Sequence, residues 1–260
     1  MLKIENAYKT FNVTNNPEDD RIALAGLDLN IEDGEFVTII GGNGSGKSTL
    51  MNAISGVVKL DTGTIKIKGM DVTNISEYRR AKYLGRVFQD PNLGTAGNMS
   101  ILENMMLAYR RDKRKGLRWG FKKDLTERFT NLVGTLNLGL ESRMEQKVGL
   151  LSGGQRQALT LLMATLSKPD ILLLDEHTAA LDPKIQKLVL DITDKIVKES
   201  GVTTLMITHN MKDAITYGTR LVMLKEGKII FDVSGEEKQK LTKEELLHKF
   251  DDSGDTELAL

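Results

Sequence analysis

The sequence predicts an α/β fold: a parallel sheet with helices on both faces, an N-terminal antiparallel β subdomain and an inserted helical subdomain. Three observations carry this prediction. Short β-rich runs alternate with longer helical patterns near both ends of the chain. The runs DILLLDE (170–176) and TTLMITH (203–209) are almost continuously apolar, as strands covered on both faces should be. Between Asp90 and Lys168 no comparable strand occurs and helical patterns take over.

In order along the chain, LKIENA (2–7), RIALAGLDLNI (21–31) and EFVTII (35–40) read as strands, rich in β-branched and alternating apolar residues. A helix opens at Lys47 with Leu50, Met51, Ala53 and Ile54 on one side. TIKIKG (64–69) and YLGRVFQ (83–89) return to strand. Helical patterns cover 100–110, 121–138 and the residues after Gly153. RLVMLKEGKIIFDV (220–233) reads as a hairpin turning at Glu226-Gly227. Beyond about Lys240 the sequence holds one charged amphipathic helix and an acidic end with Asp251, Asp252, Asp255 and Glu257. These patterns place one domain at 1–240, with an αβ core of 1–89 and 168–240 around a helical subdomain of 90–167. Residues 241–260 form the tail.

The chain has 260 residues, enough for one large domain with an insertion. Lys plus Arg and Asp plus Glu number 36 each, so overall charge gives no sign of a polyanionic partner. It contains no cysteine, which excludes disulfides and thiolate chemistry. No apolar run approaches the ~18–20 residues that span a bilayer, and the first residues, MLKIENAYKTF, do not resemble a signal peptide. A soluble cytoplasmic chain is expected, with any membrane role supplied by a partner. His177 and His248 are expected at the surface and not as metal ligands, since no second ligand type stands at metal-site spacing.

Residues 41–48 fit G-x-x-x-x-G-K-[ST] between a strand and a helix, the context in which this motif cradles phosphates. Gly41, Asn43, Gly44, Ser45 and Gly46 line the loop, whose backbone N–H groups and helix start favour an anion. Lys47 is expected at the β/γ-phosphates, the Ser48 hydroxyl on Mg²⁺, and Thr49 near the α-phosphate. This marks a P-loop NTPase core. Asp175 ends a strand at the sheet's carboxyl edge, where it can reach Mg²⁺ through water. Glu176 can orient or deprotonate an attacking water. Ser152, Gly153, Gly154 and Gln155 open a further helix. They fit a capping box and equally a second anion-binding helix end, and the two readings are compatible.

Together these motifs resemble the ATP-binding subunits of ABC transporters over residues 1–235. The resemblance implies further roles in ATP binding and hydrolysis. Gln89 matches the glutamine that senses Mg²⁺ and water, and Asp182 lies in the loop that crosses to an opposite site. His209 matches the switch histidine at the γ-phosphate. Phe11 falls where an aromatic ring stacks on adenine, with Tyr8 a second candidate packing at a strand end. The implied machine is a head-to-tail homodimer that holds two ATP molecules between its copies. Each γ-phosphate bridges one phosphate loop and the partner's 152–155 helix end. Integral-membrane permease subunits, a separate solute-binding protein and a place on the inner face of the cell membrane follow from the same resemblance, with no nucleic acid.

One departure is informative: DEHTAALDP (175–183) carries His177 where many relatives have Pro. This spelling resembles a subgroup of importer ATPases paired with amino-acid-type permeases. An exporter subunit, a mechanotransmission complex and a soluble assembly ATPase scaffold are the alternatives. Residues 110–123 hold eight Lys or Arg with Trp119 and Phe121 between them. That stretch reads as a solvated linker, as a contact to membrane or acidic permease surface, or as a nucleic-acid patch, which the neutral total charge disfavours.

Overall fold

The computed structural model describes residues 1–12, 20–111 and 123–251. Its strands are β1 (Leu2–Asn12), β2 (Asp20–Ile31), β3 (Phe36–Ile40), β4 (Thr62–Ile67), β5 (Met70–Asp71), β6 (Leu84–Val87), β7 (Ile171–Asp175), β8 (Thr203–Ile207), β9 (Arg220–Lys225) and β10 (Lys228–Ser234). Its helices are α1 (Lys47–Ser55), α2 (Glu77–Arg80), α3 (Ile101–Tyr109), α4 (Lys123–Gly134), α5 (Gly153–Thr165), α6 (Pro183–Ser200), α7 (Met211–Thr216), α8 (Gly235–Lys240) and α9 (Lys243–Asp251). Two sheets organise them. One runs β10-β9-β3-β8-β7-β6, parallel except for the β10 edge. The other, β2-β1-β4-β5, is antiparallel throughout. Both were expected.

The buried strands explain the layering. All five residues of β3 and all of β8 are buried. Along β7 the side chains alternate between two cores, because successive residues of a strand point to opposite faces. Ile171 and Leu173 join the cluster that includes α1 and the antiparallel sheet. Leu172 and Leu174 join the cluster with Ile101, Met105, Phe129 and Leu161, so helices α3, α4 and α5 cover the other face. Each such side chain contributes about 1.5–3 kcal/mol by leaving water. A third cluster seats α7 and α9 on β9 through Met211, Ala214, Leu221 and Leu246.

Local chemistry sets several boundaries. Ser100 and Glu103 form a capping box at the start of α3. Glu226 and Gly227, at φ 47° and 74°, make the expected turn between β9 and β10. The helix read over 121–138 is shorter, and 121 and 122 lie outside the described residues; α4 ends at Gly134. The strand read through Gln89 stops at Val87. Beyond Lys240 the tail holds the one expected helix, α9, and the unexpected α8 lies just before it. The basic stretch falls largely outside the described residues. Among the described residues no helix is long and apolar enough to cross a membrane.

Arg80 is a structural residue that patterning does not reveal. It is 1% exposed and donates to Ala53 O (2.6 Å) and Ile54 O (3.0 Å) in the last turn of α1. It also donates to Ile75 O and Thr73 O, both at 2.8 Å. A helix's last carbonyls have no partner in their own ladder, and a cation suits them. Replacing Arg80 with Met should therefore cost about 3 kcal/mol by taking a donor from all four oxygens, of which Ala53 O keeps the Gly56 N–H at 3.2 Å. Urea unfolding checks this, and a loss under about 0.5 kcal/mol would contradict the assignment.

Candidate functional site

The carboxyl ends of four neighbouring parallel strands converge on one edge of the sheet, the side where open α/β sheets bind ligands. β3 runs into loop 41–46, β7 ends at Asp175, β8 leads to His209, and β6 leads to Gln89. Backbone bonds hold three of these ends level. Thr208 N–H donates to Ile39 O at 3.1 Å, and Glu176 N–H donates to Ile207 O at 3.1 Å.

Loop 41–46 closes tightly around the Lys47 ammonium. Lys47 is buried and donates from Nζ to Gly41 O (2.7 Å), Gly42 O (2.9 Å) and Ser45 Oγ (3.4 Å). Gly46 at φ 103° caps α1, and a Cβ there would strike the Ala23 carbonyl oxygen. Only glycine satisfies both demands. The β9–β10 turn braces the loop, since Gly227 N–H donates to Ser45 O at 3.0 Å. Asn43, Gly44 and Ser48 are exposed at the loop's mouth, and Thr49 is half-buried behind them. A glycine cradle, a centred ammonium and a helix start form a donor set suited to polyphosphate.

Asp175 and Glu176 diverge as expected. Asp175 Oδ2 lies 3.1 Å from Arg86 Nη2. Glu176 takes a left-handed backbone at φ 45°, which costs a non-glycine residue about 1 kcal/mol. That turn carries its carboxylate to His209, with Oε2 3.6 Å from Nδ1. At this distance the contact is electrostatic more than a well-formed hydrogen bond. The His209 partner and charge hold the Glu176 carboxyl below the ordinary range, despite opposing burial. Reciprocally, Glu176 raises the His209 pKa. Lys47 acts on both groups, which places ammonium, carboxylate and imidazole in one electrostatic neighbourhood. Gln89 is exposed just past β6. Among the described residues no cluster of three or more His, Asp or Glu could hold a metal. Ser48, Gln89 and Asp175 carry the side-chain oxygens at this edge that could hold Mg²⁺ beside a bound phosphate.

A second patch forms where α5 and α6 begin. Ser152 Oγ accepts from Gln155 N–H at 3.3 Å and Gln155 Oε1 accepts from Ser152 N–H at 3.2 Å, which is the capping box. Asp182 caps α6 by accepting from Ile185 N–H at 3.2 Å. The two starts are neighbours: a Cβ on Gly153 would stand 3.3 Å from Leu181 Cδ2, and one on Gly154 would collide with Ile185. Both Ser152 and Asp182 are exposed. Phe11 lies in β1, 40% exposed, with the Lys9 ammonium 5.4 Å from its ring centre. Tyr8 is not at a strand end. It sits within β1 with its ring against Gly26.

Two residues alter the expected picture. Arg86 is a site residue that no motif marks, and its signal in the sequence is a charge inside the apolar run YLGRVFQ. It donates to Asn52 Oδ1 (2.9 Å) and Ser55 Oγ (3.3 Å) as well as Asp175. His177 is not on the surface. It is 2% exposed, and its Nε2 lies 3.1 Å from Thr193 Oγ1. Position after a strand end suggests exposure, but the turn at Glu176 rolls the next side chain inward. His248 is exposed, as expected.

The profile of the ABC transporter family matches residues 24–179. The chain belongs to the ABC transporter family. It is an ATP-binding subunit of that family, whose ATPases are coupled to transport. A tyrosine transport ATP-binding protein of Clostridioides difficile is 47% identical over 96% of this chain and 99% of its own length. A spermidine/putrescine import ATP-binding protein of Haemophilus ducreyi is 34% identical over 89% of this chain, which spans 57% of that relative. Among solved structures, a dimeric ATP-binding cassette bound to ADP and Pi in a post-hydrolysis state is 30% identical. It has a TM-score of 0.75, covering 90% of this chain and 98% of its own.

The buried His177 gives this ABC subunit a definite acid response. Burial lowers the imidazole pKa from 6.5 to about 4. Between those values the unfolded chain binds a proton that the folded chain does not, so stability falls as pH drops through this window. The loss reaches on the order of 2–3 kcal/mol near pH 4.5. Unfolding free energies of the wild type and His177→Gln at pH 7 and 4.5 check this. The wild type should lose more, and equal losses would contradict the burial argument.

Proposed function

We propose that this chain powers the import of an aromatic amino acid, of the tyrosine class, by hydrolysing ATP between two of its own copies. The observation that carries this reading is the near full-length similarity to a tyrosine transport ATP-binding protein. The convergence of Lys47, Asp175, Glu176 and His209 on one edge supports the chemistry. In this reading the chain works at the inner face of the cell membrane. It seats on permease subunits through helices of the 90–167 segment and serves a separate solute-binding protein.

The residue roles are proposals on the same basis. Phe11 stacks on adenine. Loop 41–46, Lys47 and Thr49 hold the phosphates. Ser48 and Asp175, with Gln89 nearby, hold Mg²⁺, which when bound neutralises phosphate charge and fixes the reacting oxygens. Glu176 stays ionised beside His209 and orients a water toward the γ-phosphorus, accepting its proton as the phosphorus–oxygen bond to ADP breaks. His209 hydrogen-bonds the γ-phosphate. The 152–155 helix end of the second copy meets that same phosphate, and Asp182 reaches across the contact. Loss of the bridging γ-phosphate favours the open pair, and that difference in affinity does the mechanical work. An export role is the second reading. A bacitracin export ATP-binding protein of Halalkalibacterium halodurans is 33% identical over 88% of this chain.

Glu176→Gln should cut turnover on the order of 10²–10⁴-fold while ATP binding persists. It should also accumulate an ATP-bound dimer, which light scattering on a sizing column would read. A variant that stayed monomeric in saturating ATP would contradict the shared site.

A further inference from the structure

Helix α6 touches the neighbours of both reacting side chains, and it also holds the end of α7, where Tyr217 donates to Asp191 Oδ1 at 2.8 Å. Near its middle, Thr193 Oγ1 meets Nε2 of His177, the residue that directly follows Glu176. The Thr193 hydroxyl donates its own proton to Val189 O at 2.8 Å. The imidazole must therefore be the donor to Oγ1, which places its proton on Nε2. Seven residues earlier, Gln186 Nε2 donates to Asp213 Oδ2 at 2.7 Å. Asp213 lies in the first turn of α7, four residues after His209, and its backbone N–H is capped by the Asn210 side chain at 3.2 Å. Asp213 also acts on the charge of His209.

A spacing of seven residues puts Gln186 and Thr193 on one face of α6, two turns or about 10 Å apart. One face of a single rigid helix thus holds the turn that aims Glu176 and the short helix that follows His209. Glu176 needs such support, because its backbone sits in the left-handed region that a non-glycine residue leaves when unrestrained. The helix that provides it begins at Asp182, whose side chain caps it in an exposed turn beside Gly153.

We propose that Thr193 and Gln186 are positioning residues for hydrolysis, acting through His177 and Asp213 to set the relation of Glu176 to His209. This rests on the assignment of Glu176 and His209 given above.

The test uses the full-length chain, with steady-state ATP hydrolysis and binding of a non-hydrolysable ATP analogue. Thr193→Val and Gln186→Met should each lower kcat by about fivefold or more, as small misplacements of reacting groups do. KM and analogue affinity should stay within about twofold. Thr193→Ser, which keeps the hydroxyl, should recover most of the rate. The paired variant should lose less than the product of the single losses, since both contacts serve one geometry. Gln186 is half-buried and near the helix start, so Gln186→Met decides the matter if Thr193→Val does not fold. A kcat loss under fivefold in Gln186→Met, or a Thr193→Ser enzyme as slow as Thr193→Val, overturns the proposal. Failure of the underlying reading looks different: Glu176→Gln would then keep the wild-type rate.

Discussion

The register between β3, β8 and β7 is the constraint on which the rest of the molecule depends. Two backbone bonds at the strand ends, Thr208 to Ile39 and Glu176 to Ile207, bring the loops after three strands to the same level. A slip of one residue would exchange the two faces of β7 and send Leu172 and Leu174 into the cluster built for Ile171 and Leu173. It would also carry Asp175 and Glu176 away from Lys47 and His209. Packing and site geometry are therefore fixed by one pairing, and the energy that orders the site is that of two apolar cores.

On that frame the charged groups are each given a partner that leaves them poised. Lys47 rests on carbonyls of its own loop, a set of acceptors that a phosphate can replace with stronger, charged ones. Arg86 restrains Asp175 at the same edge while anchored to α1 through Asn52 and Ser55. Glu176 and His209 stabilise each other's charged forms. A carboxylate held ionised in this way is better suited to orienting water than to strong base chemistry. In the proposed reaction the driving force then comes mainly from positioning and from charge on the transferred phosphate.

Much of this was readable in the residues, for physical reasons that differ by element. The phosphate loop is legible because a tight anion cradle demands glycine, lysine and a hydroxyl in fixed order. DILLLDE and TTLMITH are legible because a strand covered on both faces has no polar alternation to confuse. His177 was misread because its direction depends on a left-handed turn at Glu176, a backbone choice that glutamate does not advertise. Arg86 and Arg80 escaped because the partners that fix their roles, Asp175 and the last turn of α1, lie 89 and 26 to 27 residues away in sequence. Helix α8 escaped because GEEKQK, six polar residues long, carries no apolar period; the buried Lys238 that seats it bonds to Gly218 O at 2.9 Å.

The central claim is that one copy lacks a complete reaction centre and that ATP joins two of them. Specific ATPase activity measured over a hundredfold range of protein concentration, at saturating ATP and Mg²⁺, addresses this most directly. The account predicts activity per chain that rises with concentration and reaches a plateau once dimers dominate. Activity per chain that stays constant down to dilutions where only single copies exist would contradict it.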